Sequence, residues 1–142
     1  MTREVGGNEA MRVLIDTSFI LPAFGVDVGE KISDLIKDFG KHYIYFSELS
    51  LIESMWVIRR LIKRGENVDE KLVRVGLKSV LETYKLVKVP VSAYISAVKD
   101  RRHEDLIDLI LFYTAKSYNM KFLTLDERVK ELDSENVVID GL

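Results

Sequence analysis

Five short apolar segments separated by stretches of helical periodicity constrain the fold of this chain more than any other feature. The strand-like segments are residues 13–15, 43–46, 86–89, 121–124 and 137–139. Between them, apolar residues recur three or four positions apart, which is the period of an amphipathic helix. Because short strands that alternate with helices are typical of α/β proteins, we expect an α/β fold with a mainly parallel sheet.

The helical segments carry recognisable boundary residues. Ser47 and Asp69 are suitable N-caps, and Gly40 and Gly65 are suitable stops. The predicted helices cover residues 29–39, 47–63, 69–84, 92–99, 104–118 and 126–132. No internal repeat or linker interrupts this pattern, which predicts a single folded unit.

Length, charge and cysteine content narrow the class of protein. The 142 residues correspond to one domain, and we interpret residues 1–10 as a flexible N-terminal extension and residues 11–142 as the folded domain. The absence of cysteine excludes disulfides and thiolate metal sites, so a cytoplasmic location is expected. No apolar run approaches the roughly 20 residues needed to cross a membrane. The net charge of −2 means that nucleic-acid binding would need a local basic patch or metal ions.

Two carboxylates directly follow predicted strands. Asp16 follows the first strand and Asp126 follows the fourth. An ionised carboxylate near apolar surroundings costs free energy unless it is paired, hydrogen-bonded or bound to a metal. Each residue also has a simpler interpretation, since Asp is common in turns and at helix N-caps.

A third carboxylate, Glu53, lies on an apolar face of the second long helix. Its neighbours on that face include Ile52 and Trp56, so the pattern predicts that Glu53 is not on a solvated face. The alternative is a side chain at the edge of the core that pairs with Arg59 or Arg60.

A fourth carboxylate, Asp108, lies in a helix that is apolar around most of its circumference. Such a helix should be buried on most sides, where an Asp is costly to desolvate. Asp105 lies one turn earlier on the same side. The simpler interpretation of Asp105 is a helix-start carboxylate favoured by the helix dipole.

These carboxylates can converge in an open α/β sheet. Ligands bind such sheets at the carboxyl ends of the strands, near the point where strand order reverses. If the first strand is central, Asp16, Glu53 and Asp126 meet at one edge, and Asp108 joins them from its helix. Because like charges repel, four gathered carboxylates require a cation. Oxygen ligands without His or Cys indicate Mg²⁺ or Mn²⁺, ions that suit phosphate chemistry.

At these residues the chain resembles the PIN-domain family, in particular its small single-domain VapC-like toxins. The resemblance extends over most of residues 11–142 and depends on the order and spacing of four motifs. These are LIDTSF (14–19), SLIES (50–54), DLILFYTA (108–115) and FLTLDE (122–127).

The resemblance implies a fold, an activity and a set of site residues. The fold is a three-layer α/β/α sandwich with a five-stranded parallel sheet of order 3-2-1-4-5. The activity is a Mg²⁺-dependent endoribonuclease, with Mn²⁺ as a substitute. The catalytic and metal-binding residues implied are Asp16, Glu53, Asp108 and Asp126. Thr17, Ser18 and Thr124 match supporting hydroxyl positions, and Asp105 competes with Asp108 as the third acid.

The resemblance also implies binding partners, and basic residues of the sequence are candidates for contacting them. RNA is the implied substrate, an antitoxin protein is a possible partner, a homodimer is expected, and no membrane is involved. Candidate phosphate contacts are Arg59, Arg60, Lys63, Arg64, Lys99, Arg101 and Arg102. They could equally be solvated helix ends, or bind an acidic antitoxin segment. The implied mechanism needs no histidine, and both His42 and His103 are expected at the surface.

Other functions remain open on the sequence alone. Within the enzyme class, the alternative is an RNA-processing PIN nuclease without an antitoxin. A degenerate PIN-like module that binds RNA or protein without cleavage is the alternative outside it. A phosphotransferase with an aspartyl nucleophile would need a second Asp where Ser18 stands, and a response-regulator-like module would need an acidic pair.

Overall fold

The computed structural model describes residues 9–139 and 142, so most of the predicted N-terminal extension lies outside the described residues. The strands are β1 (Arg12–Ile15), β2 (Tyr43–Ser47), β3 (Lys85–Val87), β4 (Lys121–Leu123) and β5 (Val137–Val138). The helices are α1 (Glu30–Ile36), α2 (Glu48–Lys63), α3 (Glu70–Thr83), α4 (Val91–Lys99), α5 (Leu106–Ser117) and α6 (Glu127–Lys130). Short 3₁₀ turns cover Thr17–Phe19, Leu21–Phe24 and Phe39–Lys41.

The strands form one parallel sheet with the order β3-β2-β1-β4-β5, which confirms the predicted topology. Strand β1 is central: Val13 lies opposite Ile44 of β2 and Lys121 of β4. Because strand order reverses on either side of β1, the carboxyl end of this strand is the expected place for a ligand.

Helices cover both faces of the sheet, as in the predicted three-layer sandwich. Val13 and Ile15 pack with residues of α1 to α3, whereas Leu14 packs against Leu111 and Phe112 of α5. This division follows from the two-residue repeat of a strand, which points successive side chains to opposite faces. In the described part of the chain, no helix is long and apolar enough to cross a membrane.

The buried face of α2 differs from the prediction. Ser50, Ser54 and Ile58 are buried, whereas Ile52 is 50% exposed and Trp56 is 64% exposed. Ser50 and Ser54 are fully buried, and Ser54 Oγ donates to the Ser50 carbonyl oxygen at 2.8 Å within the helix. The apolar stripe that the sequence predicts to be buried is therefore open in the isolated chain.

Candidate active site

Asp16 lies at the carboxyl end of the central strand and is nearly enclosed. Its backbone N–H donates to the Leu123 carbonyl at 3.1 Å, which extends the β1–β4 pairing by one residue. Its carboxylate accepts the Ser18 N–H at 3.0 Å and a hydrogen bond from the Thr124 side chain. The side chain is therefore both the cap of the following 3₁₀ turn and a fixed acidic group at the edge of the sheet.

The environment of Asp16 disfavours its charged form. Burial raises the pKa of Asp16 to about 7 from an ordinary value of 3.8, although the hydrogen bonds from Thr124 and Ser18 lower it. The nearby carboxylates of Asp108 and Glu53 add to the rise. A bound cation would offset both the burial and the repulsion.

Helix α2 brings Glu53 to the same place. The Thr17 hydroxyl donates a hydrogen bond to Glu53 Oε1, which links the turn after β1 to α2. Burial raises the pKa of Glu53, the Thr17 bond lowers it, and the charges of Asp105 and Asp108 raise it further. Glu53 is thus a half-buried carboxylate oriented by Thr17, although Ile52 and Trp56, on which the prediction of its burial rested, are exposed.

The start of α5 supplies two carboxylates with different local roles. Asp105 is the exposed N-cap of α5, and its Oδ1 accepts the Asp108 N–H at 3.1 Å. Asp108 is half-buried, and burial raises its pKa while a contact with His103 lowers it. Asp105 affects both Glu53 and Asp108 electrostatically, so both candidates for the third acid belong to the cluster.

Asp126 is held at the start of α6, beside an arginine that the sequence analysis did not single out. Its Oδ1 accepts the Arg128 N–H at 2.9 Å, and the Arg128 guanidinium lies 3.1 Å from Oδ2. Burial alone would raise the pKa of Asp126, but the bonds from Arg128 outweigh it and the pKa lies below its ordinary value. Asp126 is an N-cap, as the simpler interpretation held, and its charge also faces Asp108.

The prediction that His103 lies at the surface is wrong. Its side chain is 2% exposed, and Nε2 lies 3.1 Å from Asp108 Oδ2 and 3.8 Å from Asp126 Oδ2. The sequence around it, Arg101 to Asp105, is polar and charged, so no hydrophobic pattern signals the burial. His42 is half-buried, where its Nδ1 accepts the Met11 N–H at 3.1 Å.

The predicted RNA-contacting residues fall into two groups. Arg59, Arg60, Lys63 and Arg101 are exposed. Arg102 instead binds Asp100, with Nη2 and Oδ2 2.7 Å apart, and lies 3.3 Å from the Tyr113 hydroxyl. Asp100 is almost covered, with 4% of its side chain exposed, so this pair anchors the segment that leads from α4 to α5.

The PIN domain family model matches residues 13–135, and the chain belongs to this family. No curated protein sequence matches the chain. Among solved structures, VapBC2 from Rickettsia felis, bound to a DNA fragment from its promoter, is 12% identical with a TM-score of 0.66, covering 90% of this chain and 98% of the other.

Two further structures share the fold. A toxin–antitoxin complex from Klebsiella pneumoniae is 14% identical with a TM-score of 0.61, covering 89% of this chain and 95% of the other. VapC20 from Mycobacterium tuberculosis, a toxin that cleaves the sarcin–ricin loop, is 14% identical with a TM-score of 0.59, covering 85% and 95%. At these identities the likeness establishes a VapC-like PIN fold. Family membership supports a nuclease role.

Proposed function

We propose that this chain is a divalent-metal-dependent endoribonuclease and the toxin of a toxin–antitoxin pair. The observation that carries the proposal is the placement of four carboxylates near the carboxyl end of the central strand. Asp16 follows β1, Glu53 is hydrogen-bonded to the next residue, and Asp108, whose charge acts on both, lies beside Asp126. Three of them, Asp16, Glu53 and Asp108, have a pKa raised first by burial. Perturbed pKa values of this kind cluster at functional sites.

The donor set fits a divalent cation. Asp16, Glu53, Asp108 and Asp126 offer carboxylate oxygens, the ligands that Mg²⁺ and Mn²⁺ prefer. When bound, such an ion activates water and neutralises the charge that develops on the scissile phosphate. Burial raises the pKa of Asp16 and repulsion from Asp108 and Glu53 adds to the rise; a bound cation would offset both costs.

The surrounding side chains hold the acids in place for this chemistry. Ser18 N–H and Thr124 fix Asp16, and Thr17 fixes Glu53. A proton must leave the attacking water, and a carboxylate within hydrogen-bonding reach of that water can accept it. We assign that role to Glu53, whose orientation is set by the Thr17 hydroxyl.

The test is cleavage of single-stranded and structured RNA by the purified protein with Mg²⁺ or Mn²⁺. We expect endonucleolytic products that EDTA abolishes and that re-added metal restores. Metal binding without cleavage of any RNA in a broad panel would instead favour the non-cleaving binding module. Cleavage that EDTA leaves unchanged would contradict the metal-dependent mechanism.

Thr17→Val is expected to reduce cleavage about ten-fold. The variant keeps the shape of the side chain but removes the hydrogen bond to Glu53, so the carboxylate loses its fixed orientation. Thr83→Val is the matched control, because it makes the same substitution at an exposed threonine at the end of α3, outside the site. Rates measured at saturating metal should fall for Thr17→Val only; equal rates for the two variants would show that the Thr17–Glu53 bond has no role in the reaction.

An antitoxin partner is supported by the kinds of assembly in which the fold occurs. One of the similar structures is a toxin–antitoxin complex. Exposed Arg59, Arg60 and Lys63 on α2 offer a basic surface to an acidic segment. Growth arrest on expression of the chain alone, relieved by co-expression of an adjacent upstream reading frame, is expected for a toxin. A housekeeping RNA-processing nuclease would show neither.

A homodimer is supported by an exposed apolar surface shared by α2, β3 and α4. We define this apolar surface by Ile52, Trp56, Leu86, Val91, Ile95 and Val98, which are 50–78% exposed. Part of it lines one groove between the start of α2 and the start of α4. Ile52, Leu86 and Val91 share this groove, whereas Trp56 lines a neighbouring groove on α2. Exposed apolar area of this extent is uncommon on a monomer and suits a self-complementary interface around a two-fold axis.

Trp56→Glu combined with Val98→Glu is expected to convert the dimer to a monomer. Two carboxylates that association covers would lose their hydration, which opposes formation of the dimer. Sedimentation equilibrium of the wild type and the double variant measures the change. Val75→Glu, on the exposed side of α3, is the control and should leave the mass unchanged. A wild type that is monomeric at micromolar concentration would contradict the homodimer.

A further inference from the structure

The function proposed above uses carboxylates only, yet a buried imidazole lies among them. His103 is 2% exposed as a side chain, and its Nε2 faces Asp108 and Asp126 rather than solvent. Ligand atoms from these three residues all lie within 4.8 Å of one another. Nothing in the proposed hydrolysis requires a nitrogen at this point.

The spacing of the three groups suits one cation. Two ligands bound at right angles to an ion, each at about 2.1 Å, lie about 3 Å apart. His103 Nε2 and Asp108 Oδ2 are 3.1 Å apart, and His103 Nε2 and Asp126 Oδ2 are 3.8 Å apart, which corresponds to a wider angle. In the metal-free chain His103 Nε2 and Asp108 Oδ2 are hydrogen-bonded, and an ion that binds between the three groups replaces this bond.

The imidazole is held in place from outside the cluster. The segment that carries it is anchored by Arg102, whose N–H and guanidinium both bind Asp100, and by the Tyr113 hydroxyl, which donates to Asp100 at 2.7 Å. These contacts fix the position of the segment that carries His103. The Arg128 guanidinium forms an ion pair with Asp126 Oδ2, but its side chain is 68% exposed. It can therefore turn into solvent when a cation binds to Asp126.

We propose that His103, Asp108 and Asp126 form a mixed nitrogen–oxygen site for a first-row divalent transition metal, which binds there in preference to Mg²⁺. Imidazole nitrogen is a good ligand for transition ions and a poor one for Mg²⁺, which prefers oxygen. The inference rests on the proposed function only in sharing Asp108 and Asp126. It predicts that His103 sets the metal preference of this particular chain.

The test is direct detection of the nitrogen ligand with Mn²⁺ as the probe. Metal-free protein is loaded with sub-stoichiometric Mn²⁺, and the electron spin-echo envelope is recorded. We expect the modulation of a coordinated imidazole nitrogen in the wild type and in His42→Gln, and its loss in His103→Gln. Calorimetric titration should show Mn²⁺ affinity reduced at least about ten-fold in His103→Gln, with Mg²⁺ affinity within about two-fold.

The outcomes separate this inference from the proposed nuclease. Tight Mn²⁺ binding without nitrogen modulation in the wild type would overturn the role of His103 while leaving a carboxylate site intact. Equal loss of Mn²⁺ and Mg²⁺ affinity in His103→Gln would likewise overturn it, since that pattern denotes a general positioning role. No binding of either ion by the wild type would overturn both proposals. The wild-type spectrum decides the question even if His103→Gln does not fold.

Discussion

Replacing Asp16 with Asn is expected to reduce metal-dependent RNA cleavage at least about 100-fold. Asn keeps the size of the side chain and an oxygen that can accept the Ser18 N–H, but it removes the charge at the centre of the acidic cluster. Loss of one charged metal ligand corresponds to about 3 kcal/mol of transition-state stabilisation, which is a factor of about 100 in rate. The measurement is kcat/KM on one RNA substrate at saturating Mg²⁺ and Mn²⁺.

Asp69→Asn is the matched control for this substitution. Asp69 is also a capping residue that accepts a backbone N–H two positions on, but it lies at the start of α3 and is exposed. Because Asn is an equally good N-cap, this variant should keep full activity. Residual cleavage above one tenth of the wild type in Asp16→Asn would show that Asp16 serves the turn and not the reaction.

Metal-free Asp16→Asn is expected to be more stable than the metal-free wild type above pH 7, by up to about 4 kcal/mol. The folded chain holds the pKa of Asp16 at about 7 through burial, whereas the unfolded chain ionises near 3.8. Between these values the folded state binds more protons, so the free energy of unfolding falls as pH rises. The rise in pKa from 3.8 to about 7 corresponds to about 4 kcal/mol, lost between about pH 4 and pH 7.

Urea unfolding from pH 4 to pH 8 in EDTA measures this difference. The wild type and Asp16→Asn should be close in stability near pH 4 and diverge towards pH 8, while Asp69→Asn should follow the wild type throughout. Adding Mn²⁺ at pH 8 should stabilise the wild type more than Asp16→Asn, since a ligand stabilises the state that binds it. Parallel curves for the wild type and Asp16→Asn would mean that Asp16 ionises freely in the folded chain.

Most of the sheet could be predicted because its information is local. The apolar run Val13–Ile15 is bounded by polar residues and is buried on both faces, so its pattern survives in the fold. Boundaries were less well predicted: the predicted helix 29–39 ends as α1 at Ile36 and continues as a 3₁₀ turn around Gly40. Predicted helix 104–118 begins at Leu106, since Asp105 is its cap and not its first turn.

The candidate acids could be selected from the sequence, whereas the side chains that contact them could not. Asp16 and Asp108 stand out because each interrupts an apolar stretch. His103 and Arg128 lie in polar segments. Whether they are buried or contact the site depends on how α5 and α6 pack, and the sequence has no hydrophobic periodicity there that would predict it. The opposite error was made for Trp56, which was predicted to be buried but is exposed. An apolar stripe on a helix does not reveal whether it packs against the same chain or against another one.

The scattered origin of the acidic cluster has a consequence for protein synthesis. Asp16 emerges from the ribosome early, but β1 needs its neighbour β4, and Asp126 follows β4. Synthesis proceeds at about 5 to 20 residues per second, so a nascent chain spends several seconds with Asp16 exposed and its partners absent. Strands β1 and β4, whose paired residues are more than 100 positions apart in the sequence, must pair before the four carboxylates can come together. An unfinished chain thus has no complete set of carboxylates, and nuclease activity would arise only after the segment carrying Asp126 has been released.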